Sequence, residues 1–147
     1  MARFSSLGEH GGVWLAIGLG GGLLQPGRRR EWSRAGRAVG AAYIANTAIK
    51  LLVRRPRPQL PGLPALTGTP TGLGFPSAHT ATGFAGALAY SRLGLPAPAL
   101  YGLASALAYS RLYLGVHHPS DILAGALLGT GLAALLTEPS GAGAEAT

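Results

Sequence analysis

The segment Pro119-Ser-Asp-Ile-Leu-Ala-Gly-Ala-Leu-Leu-Gly-Thr-Gly-Leu-Ala-Ala-Leu-Leu-Thr137 carries one charged residue, Asp121, and is otherwise rich in Leu, Ala and Gly. Proline is well suited to the first turn of a helix, so a helix is predicted to begin at Pro119. Small residues let helix backbones approach closely in lipid, whereas in water each Gly would weaken a helix by about 1 kcal/mol relative to Ala. The segment therefore predicts a membrane helix that packs tightly against its neighbours.

Other apolar stretches, also rich in small residues, precede this one, at roughly Gly11 to Leu24, Ala35 to Val53, Ser77 to Leu93, and Pro96 to Ser110. A helix needs about 20 residues, and at least about 17, to cross a hydrocarbon core of about 30 Å. The first stretch is short and spans only if residues 7–11 continue its helix. We expect one all-α domain over residues 1–147, a bundle of about five transmembrane helices, with residues 138–147 as a disordered tail. A water-soluble helical bundle is the competing interpretation.

The chain of 147 residues has a net charge of +7 and no cysteine, so thiolate chemistry and disulfides are excluded. Most cations fall into two clusters, Arg28 to Arg37 and Lys50 to Arg57, which are separated by segments with almost no charge. A nucleic-acid-binding protein would instead present a solvated basic stripe. Clusters between apolar segments are typical of membrane spans with basic loops, so the membrane is the expected partner and nucleic acid is not.

The order of these segments predicts an orientation. If all five cross, residues 54–76 and 111–118 emerge on one face, and the arginines between 28 and 37 lie with Arg92 on the other. Positive loops tend to remain in the cytoplasm. We therefore expect a multi-pass protein of the cell membrane whose long loop faces the extracytoplasmic side. The sequence does not indicate an oligomeric state.

The run Ser110-Arg111-Leu-Tyr-Leu-Gly-Val-His117-His118-Pro-Ser-Asp121 places His117 just before the predicted helix and Asp121 in its first turn. From there a carboxylate can reach back to an imidazole, fix its tautomer and leave the other ring nitrogen free to attack. His117 is the candidate nucleophile and Asp121 its orienting partner. The alternative is that Asp121 only caps the helix.

A second polar run, Pro76-Ser77-Ala78-His79, reads as a helix start with Ser77 at the cap. Exposed backbone N–H groups and the helix dipole make such a terminus an anion site. We predict that Ser77 and Ala78 bind phosphate through a hydroxyl and an N–H, and that His79 donates a proton to a leaving oxygen.

The third run, Lys50-Leu-Leu-Val-Arg-Arg-Pro-Arg57-Pro58, supplies cations. Arginine presents planar forked donors suited to phosphate oxygens and lysine a compact charge, so Lys50, Arg57 and Arg111 are predicted to cradle a phosphoryl group. Arg54 and Arg55 are assigned to anionic lipid headgroups or to the membrane interface. With Asp121 as the only acid near the site, no metal and no cofactor are expected.

These three runs resemble the signature of the type 2 phosphatidic acid phosphatase (PAP2) superfamily: Lys, six residues, Arg-Pro; then Pro-Ser-Gly-His; then Ser-Arg, five residues, His, three residues, Asp. The chain departs from it at Ala78, where the family has Gly. The resemblance implies a helical-bundle lipid phosphatase. It also implies that His117 attacks phosphorus, that Asp121 orients it, that His79 protonates the leaving group and activates water, and that phosphate is held by Lys50, Arg57, Ser77, Ala78 and Arg111.

Within that family, three segments resemble short actinobacterial members assigned to dephosphorylating decaprenylphosphoryl-5-phosphoribose, a precursor of cell-wall arabinan. They are Arg3-Phe4 to His10, the Val53-Arg-Arg-Pro-Arg-Pro58 run and Gly68-Thr-Pro-Thr-Gly-Leu-Gly-Phe-Pro-Ser-Ala-His79. The resemblance implies a polyprenyl-linked phosphomonoester as substrate. Undecaprenyl diphosphate and phosphatidylglycerophosphate are the alternative substrates. Two other classes are a non-catalytic lipid-binding scaffold and a vanadate-dependent haloperoxidase, and the membrane spans and small size argue against the latter.

Overall fold

The chain is built from helices. A computed structural model describes residues 11–59, 65–66, 68–69 and 71–137. Its helices are α1 (Gly12–Leu24), α2 (Arg29–Val53), α3 (Ala78–Ser91), α4 (Ala97–Tyr113) and α5 (Pro119–Leu136). Within the described residues the only β pairing is an isolated antiparallel bridge between Pro56 and Leu73. The all-α prediction is confirmed, whereas the predicted tail at 138–147 and the extension of the first helix through residues 7–10 lie outside the described residues.

Helix α3 is the centre of the bundle and contacts each of the other four helices. Most of its residues are buried, and most of the buried ones are small: Thr80, Ala81, Thr82, Gly83, Ala85, Gly86, Ala87 and Ala89, with Tyr90 at the far end. Small side chains allow four neighbours to approach one helix at once. The composition of α3 therefore sets the compactness of the fold.

The most extensive helix pair is α3 with α5, and two glycines make their close approach possible. A Cβ atom on Gly125 would lie 2.6 Å from the carbonyl oxygen of Ser77, and one on Gly129 would overlap the carbonyl of Ala81. Residues four apart lie on the same helix face, so Gly125 and Gly129 form one flat surface against α3. This packing brings the first turns of both helices together, and the Ser77 N–H donates to the carbonyl of Asp121 at 3.0 Å.

Aromatic residues fill the opposite half of the bundle. The Tyr90 hydroxyl donates to the carbonyl of Trp14 at 2.7 Å, and the Trp32 ring stacks on Tyr90 with a centroid separation of 5.8 Å. The Trp14 ring lies over Gly86, where a Cβ would overlap it. These contacts tie α1 and α2 to the last turns of α3.

The connections lie at two separate ends of the bundle. Arg28 donates to the carbonyl of Leu93 at 3.2 Å, and Arg92 donates to the Thr137 hydroxyl at 3.0 Å, so the α1–α2 turn, the α3–α4 turn and the end of α5 share one end. The α2–α3 and α4–α5 connections therefore lie at the other. We call these the arginine end and the site end, because the three polar runs belong to the second.

Two helices extend beyond the apolar stretches that predicted them. Helix α2 begins at Arg29 rather than Ala35, and α4 continues through Arg111 to Tyr113 rather than ending at Ser110. Arginine is a good helix former, so the backbone stays helical where the apolar pattern stops. An apolar run marks the part of a helix that faces lipid or core and misses its polar first or last turns.

The evidence for membrane crossing differs among the helices. By length and composition, α5 alone of the described helices is long and apolar enough to cross a membrane, and α1 is apolar but shorter. At a rise of about 1.5 Å per residue, the 13 residues of α1 extend about 20 Å. Five crossings thus remain a prediction.

Candidate active site

The site end gathers side chains from all three polar runs. Lys50 lies in the last turn of α2, Arg57 follows that helix, and Arg111 lies in the last turn of α4. Ser77 caps α3, and Ala78 and His79 begin it. His117 precedes α5 and Asp121 lies in its first turn. Every residue proposed from the sequence for the site is therefore at one end of the bundle.

His117 is buried between a carboxylate and a guanidinium. Its Nδ1 lies 3.3 Å from Oδ2 of Asp121, and its Nε2 lies 3.2 Å from Nη1 of Arg57. A guanidinium only donates hydrogen bonds, so Nε2 is the acceptor and the ring proton resides on Nδ1, facing Asp121. The Nε2 lone pair thus points to the cationic side of the site, which is the arrangement that a nitrogen nucleophile requires.

Asp121 is fully buried and uses both oxygens. Oδ2 also accepts the backbone N–H of His118 at 2.9 Å, and Oδ1 accepts from Nη1 of Arg55 at 3.2 Å. Asp121 therefore makes both contacts considered from the sequence, one with the imidazole of His117 and one with the backbone at the start of α5. One oxygen caps α5 and orients the imidazole.

Arg57 is fixed beside the nucleophilic nitrogen by the backbone. Its Nε donates to the carbonyl of Thr71 at 2.9 Å and its Nη1 to the carbonyl of Val116 at 2.7 Å. Through these two bonds Arg57 links the α2–α3 connection to the α4–α5 connection. A guanidinium held in this way presents its charge at a set position next to His117, where it can attract an anionic ligand.

Lys50 has contacts that its spacing did not indicate. Its ammonium donates to the carbonyl of Pro76 at 2.9 Å and to those of Leu73 and Gly74 at 3.4 Å each. Lys50 therefore holds the segment that leads into Ser77, in addition to placing a positive charge in the site. Its predicted contact with phosphate stays a prediction.

The start of α3 has the features of an anion site. Ser77 is fully buried, and its hydroxyl oxygen has no hydrogen-bond partner among the described residues. The first N–H groups of a helix have no intrahelical acceptor, and Ala78 and His79 provide two of them. Hydroxyl and N–H groups at this terminus are suited to phosphate oxygens.

The electrostatic setting keeps His117 neutral. Burial, followed by the charges of Arg57, Lys50 and Arg111 and the nearby His79, lowers the pKa of His117 from 6.5 to about 2. The ring is therefore unprotonated at physiological pH even though a carboxylate lies beside it. A neutral imidazole surrounded by cations is suited to attack an anionic electrophile.

Sequence reasoning missed two contributors to the site. It assigned Arg55 to lipid or to the interface, whereas the guanidinium bonds Asp121 and, at 2.7 Å, the hydroxyl of Ser120. It gave no role to Gly74, where a Cβ would lie 3.0 Å from Oδ2 of Asp121. Both depend on how the α2–α3 connection folds back, with the Gly74 N–H donating to the carbonyl of Arg55 at 2.8 Å.

Potential metal ligands do not converge in the described part of the chain, where no group of three or more His, Cys, Asp or Glu side chains could hold an ion. Among the described titratable groups of the site, cations outnumber the single carboxylate of Asp121. That donor set favours anions as ligands.

Comparison with known proteins gives a consistent result. A sequence model described as the PAP2 superfamily matches residues 32–139. A protein of Mycolicibacterium smegmatis named decaprenylphosphoryl-5-phosphoribose phosphatase is 42% identical over 122 residues, covering 82% of this chain and 67% of that protein. A protein of the same name from Mycobacterium tuberculosis is 41% identical over 138 residues, covering 93% of this chain and 77% of that protein. No solved structure gives a significant match.

Proposed function

The chain belongs to the PAP2 superfamily, and from this premise we propose that it is a membrane phosphatase that removes the 5-phosphate from decaprenylphosphoryl-5-phosphoribose. The names of its relatives support this choice of substrate. The observation that carries the chemistry is the contact between His117 Nδ1 and Asp121 Oδ2, which leaves Nε2 as the acceptor atom beside Arg57.

In the first step, Nε2 of His117 attacks the phosphorus of the monoester. The N–P bond forms as the P–O bond to the sugar breaks, and the leaving oxygen takes a proton from His79. Asp121 accepts a hydrogen bond from the Nδ1–H and stabilises the positive charge that develops on the ring. Arg57, Arg111, Lys50 and the start of α3 stabilise the charge on the phosphoryl oxygens.

In the second step, water attacks the phosphohistidine. His79, now neutral, accepts a proton from the water, the P–N bond breaks, and inorganic phosphate leaves with His117 restored as a neutral base. No metal ion enters either step as proposed. The same group therefore serves as acid and then as base.

Exposed apolar side chains support insertion of several helices in the membrane. Leu19 in α1 is 71% exposed, Ile44 in α2 is 70% exposed and Leu127 in α5 is 77% exposed. On α1 the exposed leucines form a stripe along one face and are spaced by about one helical turn: Leu15, Leu19 and Leu23. Large apolar residues facing outward are expected where the surrounding solvent is lipid, so we propose that the chain is multi-pass.

The distribution of charge supports an orientation. The arginine end carries the cluster Arg28, Arg29, Arg30, Arg34 and Arg37 together with Arg92. Lys50 of the site follows Arg37, the last arginine of the cluster, by 13 residues of α2, which at about 1.5 Å per residue places them about 20 Å apart along the helix. Basic residues favour the cytoplasmic side. We therefore propose that the active site faces the extracytoplasmic side.

Phosphate release from a panel of lipids tests this function. The purified protein in detergent micelles is given a prenylphosphoryl-5-phosphoribose, a prenyl diphosphate and a phosphatidylglycerophosphate, with and without chelator, alongside His117→Ala. We expect release from the first lipid that resists chelator and is lost in the variant. A labelled, acid-labile phosphoenzyme should form in the wild type only.

The other outcomes separate the alternatives. Preference for the diphosphate or the glycerophospholipid overturns the phosphoribose substrate and leaves the phosphatase class intact. Release that disappears with chelator but survives His117→Ala overturns the phosphohistidine mechanism. Binding of lipid without turnover by a well-folded protein would indicate the scaffold class.

A further inference from the structure

Arg55 bonds the carboxylate that contacts the His117 ring. Its Nη1 lies 3.2 Å from Oδ1 of Asp121 and 2.7 Å from the hydroxyl of Ser120, both in the first turn of α5. The Arg55 side chain is 37% exposed, and that of Asp121 is completely buried. Within the described part of the chain, Oδ1 therefore accepts its hydrogen bond from one partly exposed guanidinium.

The backbone directs Arg55, and not its neighbour, toward the site. Helix α2 ends at Val53, and Arg54 adopts the left-handed conformation with φ of 52°, which turns the chain. The Arg54 side chain then folds back on its own helix, with Nε donating to the carbonyl of Leu51 at 3.2 Å. Arg55 is held by the Gly74 N–H on its carbonyl, in register with the bridge between Pro56 and Leu73.

We propose that Arg55 is a positioning residue, which fixes the rotation of the Asp121 carboxylate so that Oδ2 faces Nδ1 of His117. This inference rests on the proposed function. Oδ2 serves two donors, the His117 ring and the His118 N–H, whereas Oδ1 is held by Arg55. The terminal torsion of an aspartate is broad, so a carboxylate held through one oxygen alone is free to rotate away from the imidazole.

The geometry separates this role from a role in lipid binding. A residue that binds the substrate headgroup contributes to ground-state affinity, so its loss raises KM. A residue that acts through Asp121 contributes only while Asp121 can orient the nucleophile, so its loss lowers kcat and has no further effect once Asp121 is neutralised. The adjacent Arg54 provides a matched control of the same charge.

The experiment is a double-mutant cycle on phosphate release from the prenylphosphoryl-5-phosphoribose. kcat, KM and the thermal midpoint are measured for the wild type, R55Q, R55K, D121N, the R55Q/D121N double variant, R54Q and His117→Ala. The expected fall in kcat corresponds to the loss of one charge-assisted hydrogen bond, that between Arg55 and Asp121. We expect R55Q to lower kcat about tenfold with KM changed by less than about twofold, R55K to recover part of the loss, and R54Q to match the wild type. In the D121N background, R55Q should change kcat by less than about twofold.

Two results overturn the proposal while leaving the proposed function standing: R55Q that raises KM at unchanged kcat, or losses in R55Q and D121N that multiply in the double variant. Phosphate release that survives His117→Ala overturns the proposed function and this inference with it. If R55Q fails to fold, as its thermal midpoint would show, the cycle is run with R55K. A smaller loss in kcat that vanishes in the D121N background then supports the proposal, and a loss that persists there contradicts it.

Discussion

Nδ1 of His117 lies 3.3 Å from Oδ2 of Asp121, four residues further along the chain and across the start of α5. The same oxygen accepts the His118 N–H, so the orientation of the proposed nucleophile and the capping of α5 depend on one atom. Oδ1 faces Arg55, which makes both oxygens acceptors. An amide offers one oxygen only, and this difference permits a sharp test.

Asp121→Asn should lower kcat by about two to four orders of magnitude, the scale seen when a carboxylate that orients a catalytic imidazole is neutralised. The amide NH₂ must face either Arg55 or the donors on the His117 side, so one contact becomes donor against donor. Steady-state phosphate release and the thermal midpoint are measured together. A variant that is as stable as the wild type and retains more than about a tenth of its kcat would contradict the orienting role.

Gly74→Ala should reduce kcat by about ten- to a hundredfold, because small displacements of catalytic groups have effects of this size. The new Cβ would lie 3.0 Å from Oδ2 of Asp121, which is held from both sides and cannot move without disturbing His117. Gly72→Ala is the matched control, since Gly72 is exposed and a Cβ there meets no atom within 4 Å. Equal kcat values in the two variants would show that space beside the carboxylate has no influence on catalysis.

The effect of pH on stability follows from the neutral state of His117. Burial and neighbouring cations lower its pKa from 6.5 to about 2, so between these values the unfolded chain binds a proton that the folded chain does not. Protonation of the unfolded state makes the folded state progressively less stable as pH falls below about 6.5. The reference is His117→Asn, whose side chain does not titrate. Between pH 6.5 and 4 the thermal midpoint of the wild type should fall more steeply than that of the variant, and above pH 7 the two curves should be parallel. Parallel curves throughout would exclude a buried neutral imidazole.

The positions of α5 and of the two histidines were predictable because each has a local signal. Pro119 marks a helix start, and the spacing from His117 to Asp121 brings a carboxylate back to a ring. Ser77 was recognised as a cap for the same reason. Such signals depend only on neighbours in the sequence, and the structure has α5 beginning at Pro119 and α3 directly after Ser77.

The contacts of Arg55, Lys50 and Gly74 could not be predicted, because they depend on the path of the α2–α3 connection. Three arginines occur within four residues, and only the left-handed turn at Arg54 decides which of them faces Asp121. The carbonyls that bind Lys50 lie more than 20 residues away and carry no side-chain signature. Residue types and their spacing do not predict contacts with backbone groups that are distant in the sequence.

Gly129→Ala should destabilise the bundle by about 1–3 kcal/mol, the usual effect of forcing atoms into a packed interface. Its Cβ would overlap the carbonyl of Ala81, a backbone atom that cannot turn aside. Gly131→Ala lies on the exposed side of the same helix with no atom within 4 Å, and it should be neutral or stabilising by up to about 1 kcal/mol. Thermal unfolding in detergent compares the two, and equal midpoints would mean that α3 and α5 are not in close contact at Gly129.

Single cysteines can test the proposed orientation, because the native chain has no cysteine that would react in the background. Gln59 is exposed at the site end, and Gly27 is exposed in the turn at the arginine end with open space around it. With the arginines in the cytoplasm, a membrane-impermeant maleimide should label Gln59→Cys in right-side-out vesicles and Gly27→Cys in inverted vesicles only. Detergent-solubilised samples should label at both positions and serve as the control for reactivity. The opposite pattern would reverse the orientation, and labelling of both positions from one side would contradict a bundle whose two ends lie on opposite sides of the membrane.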